Sequence, residues 1–187
     1  DMIAGPSDIL VVADKKSDPT FVAADMLSQA EHDKMATAVL VTDSEMLAKS
    51  VSLEIERQLD LLPRSEIARA SIENNGKIIL VDSIKEAIEM SNELAPEHLE
   101  ICVDNPFDYL DGVKNAGSVF LGRYCPEAVG DYFAGPNHTL PTNGTARFSS
   151  PVSVDDFVKK TQFTYYMKDA LSRVADDIVY FAEKEML

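Results

Sequence analysis

The chain has 187 residues, 45% of them apolar, with 32 acidic against 17 basic side chains and a formal charge of −15. That is enough apolar material to bury a core in one domain, or in one domain with an appendage. A surface this negative argues against nucleic acid or an anionic membrane as partner. No apolar run approaches the roughly 18 residues that span a bilayer, and the opening Asp1-Met2-Ile3-Ala4-Gly5-Pro6 does not read as a signal peptide. Two cysteines, Cys102 and Cys125, suit a reducing cytoplasm better than a disulfide scaffold. Cys125 is a possible metal ligand, although a lone buried thiol is more common. A strand begins within a few residues of Asp1, so the chain reads as the interior of a longer protein.

Asp8 to Asp14 is a short apolar run rich in β-branched residues and predicts a buried strand. Asp18-Pro19 marks a helix start. The helix reaches His32, with Phe21, Ala24 and Leu27 expected on its apolar face. The cycle repeats with a strand from Thr37 to Thr42, then a helix from Glu45 to about Leu61 capped by Asp43-Ser44. Met46, Leu47, Val51, Ile55 and Leu59 form its stripe. Pro63 opens another helix to about Asn74, and Asn75-Gly76 is expected to end it with a left-handed glycine. A strand from Lys77 to Val81, a helix from Ile84 to Leu94 and a strand from His98 to Val103 follow. A short helix from Pro106 to Lys114 and a strand from Ser118 to Leu121 complete the series.

This alternation predicts an α/β fold: a Rossmann-like, mostly parallel sheet with helices on both faces. Ligands are then expected beyond the carboxyl ends of the strands. No G-x-G-x-x-G follows the first strand, so the dinucleotide fingerprint is missing. Residues 122–151 are rich in glycine, proline and asparagine, and also carry Tyr124, Tyr132, Phe133 and Phe148. A loop this long and this aromatic reads as functional. The α/β domain is expected to cover residues 1–150. Residues 151–187 form a helical arm, with one helix starting over Ser153 to Lys160 and another from about Lys168.

Gln29 and His32 lie three apart at the end of the first helix and share one face. They are either two ligands for one metal ion or a polar helix end with His32 favoured by the dipole. The chain has only three histidines, His32, His98 and His138, and none sits mid-element. Glu97-His98, after Pro96, pairs two groups able to move protons near neutral pH; the alternative is a solvated strand edge. Asp131 is a further candidate ligand or a turn aspartate. Ser7 either touches a ligand or caps a turn.

Several longer motifs then resemble histidinol dehydrogenase. They are Asp1 to Ser7 (DMIAGPS), Leu27 to His32 (LSQAEH), Ala95 to Leu99 (APEHL) and Asn115 to Gly122 (NAGSVFLG). Gly130-Asp131-Tyr132, Gly135 to Thr142 (GPNHTLPT) and Ser153 to Phe157 (SVDDF) continue the series. The resemblance runs in order from residue 1 to about 166. It implies NAD-dependent oxidation of L-histidinol to L-histidine in two steps, with Zn²⁺, in an intertwined homodimer. It implies Gln29, His32 and Asp131 as zinc ligands that also touch substrate, and Ser7 as a substrate contact. It implies His98 as the general base, also touching substrate, and Glu97 as the group that activates water in the second step. His138 carries over only as a possible contact. The resemblance also implies NAD contacts in an N-terminal half, and a partner subunit's C-terminal histidine as fourth zinc ligand. Neither is among these residues, so the chain alone is expected to be inactive. Two other readings compete: a metal-binding or interaction module that kept the fold, and a metal-assisted hydrolase with Glu97 as base.

Overall fold

The computed structural model describes residues 3–187. Asp1 and Met2 of the opening motif lie outside the described residues. Five parallel strands, β1 (Asp8–Ala13), β2 (Thr37–Thr42), β3 (Lys77–Leu80), β4 (His98–Cys102) and β5 (Ser118–Leu121), form one sheet in the order β3-β2-β1-β4-β5. The register sets Ile9 beside Ala38 on one side and beside His98 on the other, and His98 beside Ser118.

Side chains alternate across the sheet. Ile9, Val11 and Ala13 face one layer of helices, α1 (Pro19–Ala30), α2 (Glu45–Leu59) and α3 (Ser65–Asn75). Leu10, Val12, Leu99 and Ile101 face α4 (Ile84–Leu94) on the other side. The central strand β1 is therefore sealed on both faces, and each fully buried Leu or Ile there contributes about 1.5–3 kcal/mol. The helix starts are chemically marked. Asp18 accepts from the Thr20 amide with Pro19 in the first turn, Ser44 accepts from Leu47, and Ser83 accepts from Glu86. At the outer edge, β3 exposes Leu80.

Some helix phases and ends differ from expectation. The sheet-facing row of α1 is Val22, Ala23, Met26, Leu27 and Ala30, while Phe21 and Ala24 point to solvent. Val22, Met26 and Ala30 recur every four residues and set the row that meets the sheet. In α2 the buried stripe runs Leu47, Val51, Ile55 and Leu59, and Met46 is exposed. Gly76 is extended, not left-handed. It is needed for another reason: a Cβ there would lie 2.5 Å from the carbonyl oxygen of Ile72. The helix after Pro106 is a single turn, α5 (Phe107–Leu110).

Within residues 122–151 the chain forms α6 (Glu127–Val129), a π-helical turn (Gly130–Ala134) and a 3₁₀ turn (Thr145–Arg147). The chain divides into two compact units, the first ending at Ser153 and the second spanning Val154–Leu187. In the second, the helix expected over Ser153 to Lys160 is one 3₁₀ turn, Val154–Phe157, closed by the Val158 amide donating to the Asp155 carbonyl. It ends in α7 (Lys168–Lys184), whose Leu171, Ile178, Val179 and Phe181 are exposed. No helix among the described residues is long and apolar enough to cross a membrane.

Candidate active site

The chemistry-bearing residues collect at the amino edge of the sheet, not beyond the carboxyl ends. Ser7 directly precedes β1, and Glu97 and His98 stand at the entry to β4. Helix α1 returns the chain antiparallel to the strands, so its last turn carries Gln29 to the same edge. The chain then leaves the far end of β5 and comes back through α6 and the π turn. Gly130 permits this return: a Cβ at this position would lie 2.4 Å from the Phe120 ring. The π turn rests on Phe120, whose ring also lies 6.0 Å from that of His98. Asp131, the next residue, is thereby delivered to His98, with its Oδ1 3.9 Å from Nε2. Single π turns are frequent at functional sites.

His98 is 3% exposed, and its Nδ1 lies 3.0 Å from the carbonyl oxygen of Asp8. A carbonyl only accepts, so Nδ1 carries the hydrogen and neutral His98 keeps its free lone pair on Nε2. That Nε2 is buried and has no hydrogen-bond partner in the chain. Burial lowers the pKa of His98 by disfavouring its cation, although the Asp8 hydrogen bond and the Asp131 charge oppose this. His98 therefore sits as a neutral base facing the carboxyls of Asp131 and Glu127.

Glu97 is also buried. Its carboxyl is pushed up to about 8 by burial and by the charges of Asp8 and Asp131, against hydrogen bonds from the Asp8 amide and Ser7. Its Oε2 lies 3.7 Å from His98 Nδ1. Ser7 thus sits beside the acid–base pair.

The other side of the pocket is carboxylate and amide. One ligand atom each from His98, Glu127 and Asp131 lies within 4.8 Å of the others. Glu127 is raised to about 7, by burial and by its neighbour Asp131. Gln29 is 1% exposed and approaches the Glu127 carboxyl closely enough to lower its pKa, and among the described residues its amide has no other partner. Buried polar atoms without partners are rare and call for a ligand, water or ion. Two carboxylates and an amide oxygen suit a divalent cation, so Gln29, Glu127 and Asp131 fit a metal and leave His98 Nε2 free to act as a base.

A second layer holds Glu127 in place. Glu100, on the same face of β4 as His98, accepts from the Glu127 amide at 2.8 Å, and Ser28 Oγ lies 3.3 Å from Glu127 Oε2. Glu100 is hydrogen-bonded to Asp25, and burial pushes both carboxyls up, Asp25 to about 6.

Of the sequence candidates, Ser7, Gln29, Glu97, His98 and Asp131 are brought together. His32 is exposed but close enough for its charge to bear on His98. His138 is exposed on its loop, and Cys125 is partly buried. Glu127 was missed. Its signal was its place four residues before Asp131, which sets both on one helical face. Asp8 was also missed and had no local signal.

Fold and site together define a doubly wound α/β protein with a buried cluster of carboxyl, amide and imidazole groups at its amino edge. The family model for histidinol dehydrogenase matches residues 1–187, and the chain belongs to that family. It is 60% identical over all 187 residues to the histidinol dehydrogenase of Bacillus cereus strain ATCC 14579, covering 44% of that protein. It is 59% identical to that of Clostridium acetobutylicum, covering 43% of it. The crystal structure of histidinol dehydrogenase from Elizabethkingia anophelis matches all of the chain and 43% of its own length, with a TM-score of 0.86 at 45% identity. The chain thus spans under half the length of the relatives it matches.

Proposed function

We propose that the longer protein carrying this chain is a histidinol dehydrogenase. It would oxidise L-histidinol to L-histidine in two NAD-dependent steps, within histidine biosynthesis in the cytoplasm. The observation that carries this reading is His98: a buried imidazole whose unpartnered Nε2 faces the carboxyls of Glu127 and Asp131. His98 Nε2 takes the proton of the alcohol hydroxyl while the carbon bearing that hydroxyl gives up its hydride, for which NAD⁺ would be the acceptor. Glu97, held close to neutral protonation beside Ser7, exchanges a proton with the water that adds to the aldehyde. Gln29, Asp131 and Glu127, with His32 at the rim, would hold Zn²⁺. Bound there, the metal supplies a fixed template for the amino and imidazole groups of the substrate. Ser7 and Asp131 orient the same molecule against His98.

The crevice between the carboxyl ends of β1 and β4, where such sheets place nucleotides, is crossed by Arg123, which is paired to both Asp14 and Asp104. We assign the NAD contacts to sequence outside these 187 residues. The exposed apolar side chains of α7 support a homodimer in which a partner covers them. The 187-residue chain by itself is proposed to be inactive.

The test is histidinol-dependent NADH formation. The longer protein should show it, the 187-residue chain should not, and His98→Asn in the longer protein should lower kcat by about 10²–10⁴-fold. An unchanged rate for His98→Asn would remove the assignment.

A further inference from the structure

Glu97 and His98 are both held by a residue with no place in the pocket itself. Asp8 opens β1, and four of its polar atoms are committed. Its carbonyl oxygen accepts from His98 Nδ1 at 3.0 Å, and its amide donates to Glu97 Oε2 at 3.1 Å. Its Oδ1 accepts from the Glu97 amide at 2.6 Å, and its Oδ2 accepts from the Asn143 amide at 3.3 Å. Asn143 has φ 54°, a left-handed conformation that few residues other than glycine adopt. Its side-chain amide donates to the Gly5 carbonyl at 2.8 Å, and Thr142 Oγ1 accepts from the Gly5 amide at 2.9 Å. Three segments distant in sequence, 5–8, 97–98 and 142–143, therefore meet at this one carboxylate.

We propose that Asp8 is the positioning residue for the Glu97–His98 pair. Its carboxylate clamps the Glu97 peptide and the strained 142–143 turn. Its main chain sets the direction of the Glu97 carboxyl and fixes the tautomer of His98. The arrangement is reciprocal: Asp8 and Glu97 each give an amide hydrogen to the other's carboxyl, so neither segment slides without breaking two bonds. Charge-assisted bonds of this kind are about twice as strong as neutral ones. A displacement of about 1 Å at a reacting group costs about a hundredfold in rate. Of the proposed substrate contacts, Gln29, His32 and Asp131 make no hydrogen bond to Asp8, whereas Ser7 adjoins it and His98 is held by it. Loss of the clamp therefore falls more heavily on turnover than on substrate binding.

This inference rests on reading Glu97 and His98 as the acid–base pair, and the experiment separates the two. In the longer protein, Asp8→Ser and Asp8→Ala should lower kcat at least about tenfold with little change in KM for histidinol. Asp8→Asn keeps an oxygen for the Glu97 amide and should recover most of the loss. In parallel, ¹⁵N-histidine spectra of the 187-residue chain, with only three histidines to assign, should show one His98 tautomer in the parent and in Asp8→Asn. Asp8→Ser should show a mixture. Equal losses in Asp8→Ser and Asp8→Asn, losses shared between kcat and KM, or unaltered His98 signals in Asp8→Ser would overturn the clamp. So would failure of both Asp8→Ser and Asp8→Ala to fold, which would make Asp8 structural. If no NADH forms while the His98 signals respond as expected, the reaction falls and the clamp stands.

Discussion

The two edges of this sheet carry similar residues and use them differently. At the carboxyl edge, Arg123 donates to Asp14 and Asp104 at 2.6 Å each and to Ser17 Oγ at 3.3 Å, and Lys16 pairs with Asp104. Ser17 in turn donates to the carbonyl of Cys102. Every charge in this group has an opposite charge beside it. At the amino edge, Glu97, Glu127 and Asp131 gather with no Arg or Lys paired to them among the described residues, Gln29 has only Glu127 beside its amide, and buried His98 Nε2 has no hydrogen-bond partner there. Satisfied groups stabilise and have nothing left to offer a ligand, whereas unsatisfied ones cost stability and are retained where a ligand completes them. The contrast locates function at the edge opposite to the usual one for such sheets.

The sharpest way to break the contrast is to ask which edge binds metal. Gln29→Leu and Asp131→Asn should each weaken Zn²⁺ affinity of the 187-residue chain by at least about ten- to a hundredfold, measured by competition with a chromophoric chelator. Arg123→Met, which alters only the carboxyl edge, should leave that affinity unchanged. Equal losses at the two edges would show that the amino-edge pocket is not the metal site.

Stability should respond in the reverse order. Arg123→Met removes the only cation that bridges Asp14 and Asp104, and leaves the mostly buried Asp14 facing like charge. Its Tm should fall by a few degrees. Gln29→Leu replaces a buried amide whose one neighbour is the Glu127 carboxyl, so its Tm should hold or rise. Thermal melts of both variants in metal-free buffer test the ordering.

Most of the layer structure was legible because it depends on short-range patterns. Strands such as Thr37 to Thr42 are apolar on both faces, and caps such as Ser44 and Ser83 mark their helices locally. Helix phase was harder. Phe21 and Met46 are apolar yet exposed, and the choice between neighbouring rows is made by the sheet rather than by the helix. Gln29, Glu97, His98 and Asp131 were legible as residue types at revealing places. Their assembly at the amino edge depends on contacts such as Gly130 on Phe120 and Asp8 on Glu97, 89 residues apart, which no local window contains.

The smallest expected effect concerns pH, and it distinguishes the edges by sign. Glu97 is raised to about 8, Glu127 to about 7 and Asp25 to about 6, all first by burial. The folded chain therefore holds protons that the unfolded chain has released, and the slope of stability with pH is negative across that interval. The stability these groups contribute is complete below the ordinary carboxylate range and is lost as pH rises through the folded values. His98 runs the other way: its folded pKa is lowered, so its contribution is present above its ordinary value and is lost as pH falls. The two effects oppose each other up to about pH 7.5, where the unfolded histidine is still partly protonated, and above it the carboxyls decide. At the carboxyl edge, Asp104 is lowered by Lys16 and Arg123, so its contribution is complete in that interval and adds no slope. The Tm of the metal-free chain should therefore fall as pH rises above about 7.5. Glu97→Gln should flatten the fall, whereas Arg123→Met should lower the whole curve and leave its slope intact. Zn²⁺ should flatten the fall as well, because a bound cation favours the ionised carboxylates that burial alone disfavours.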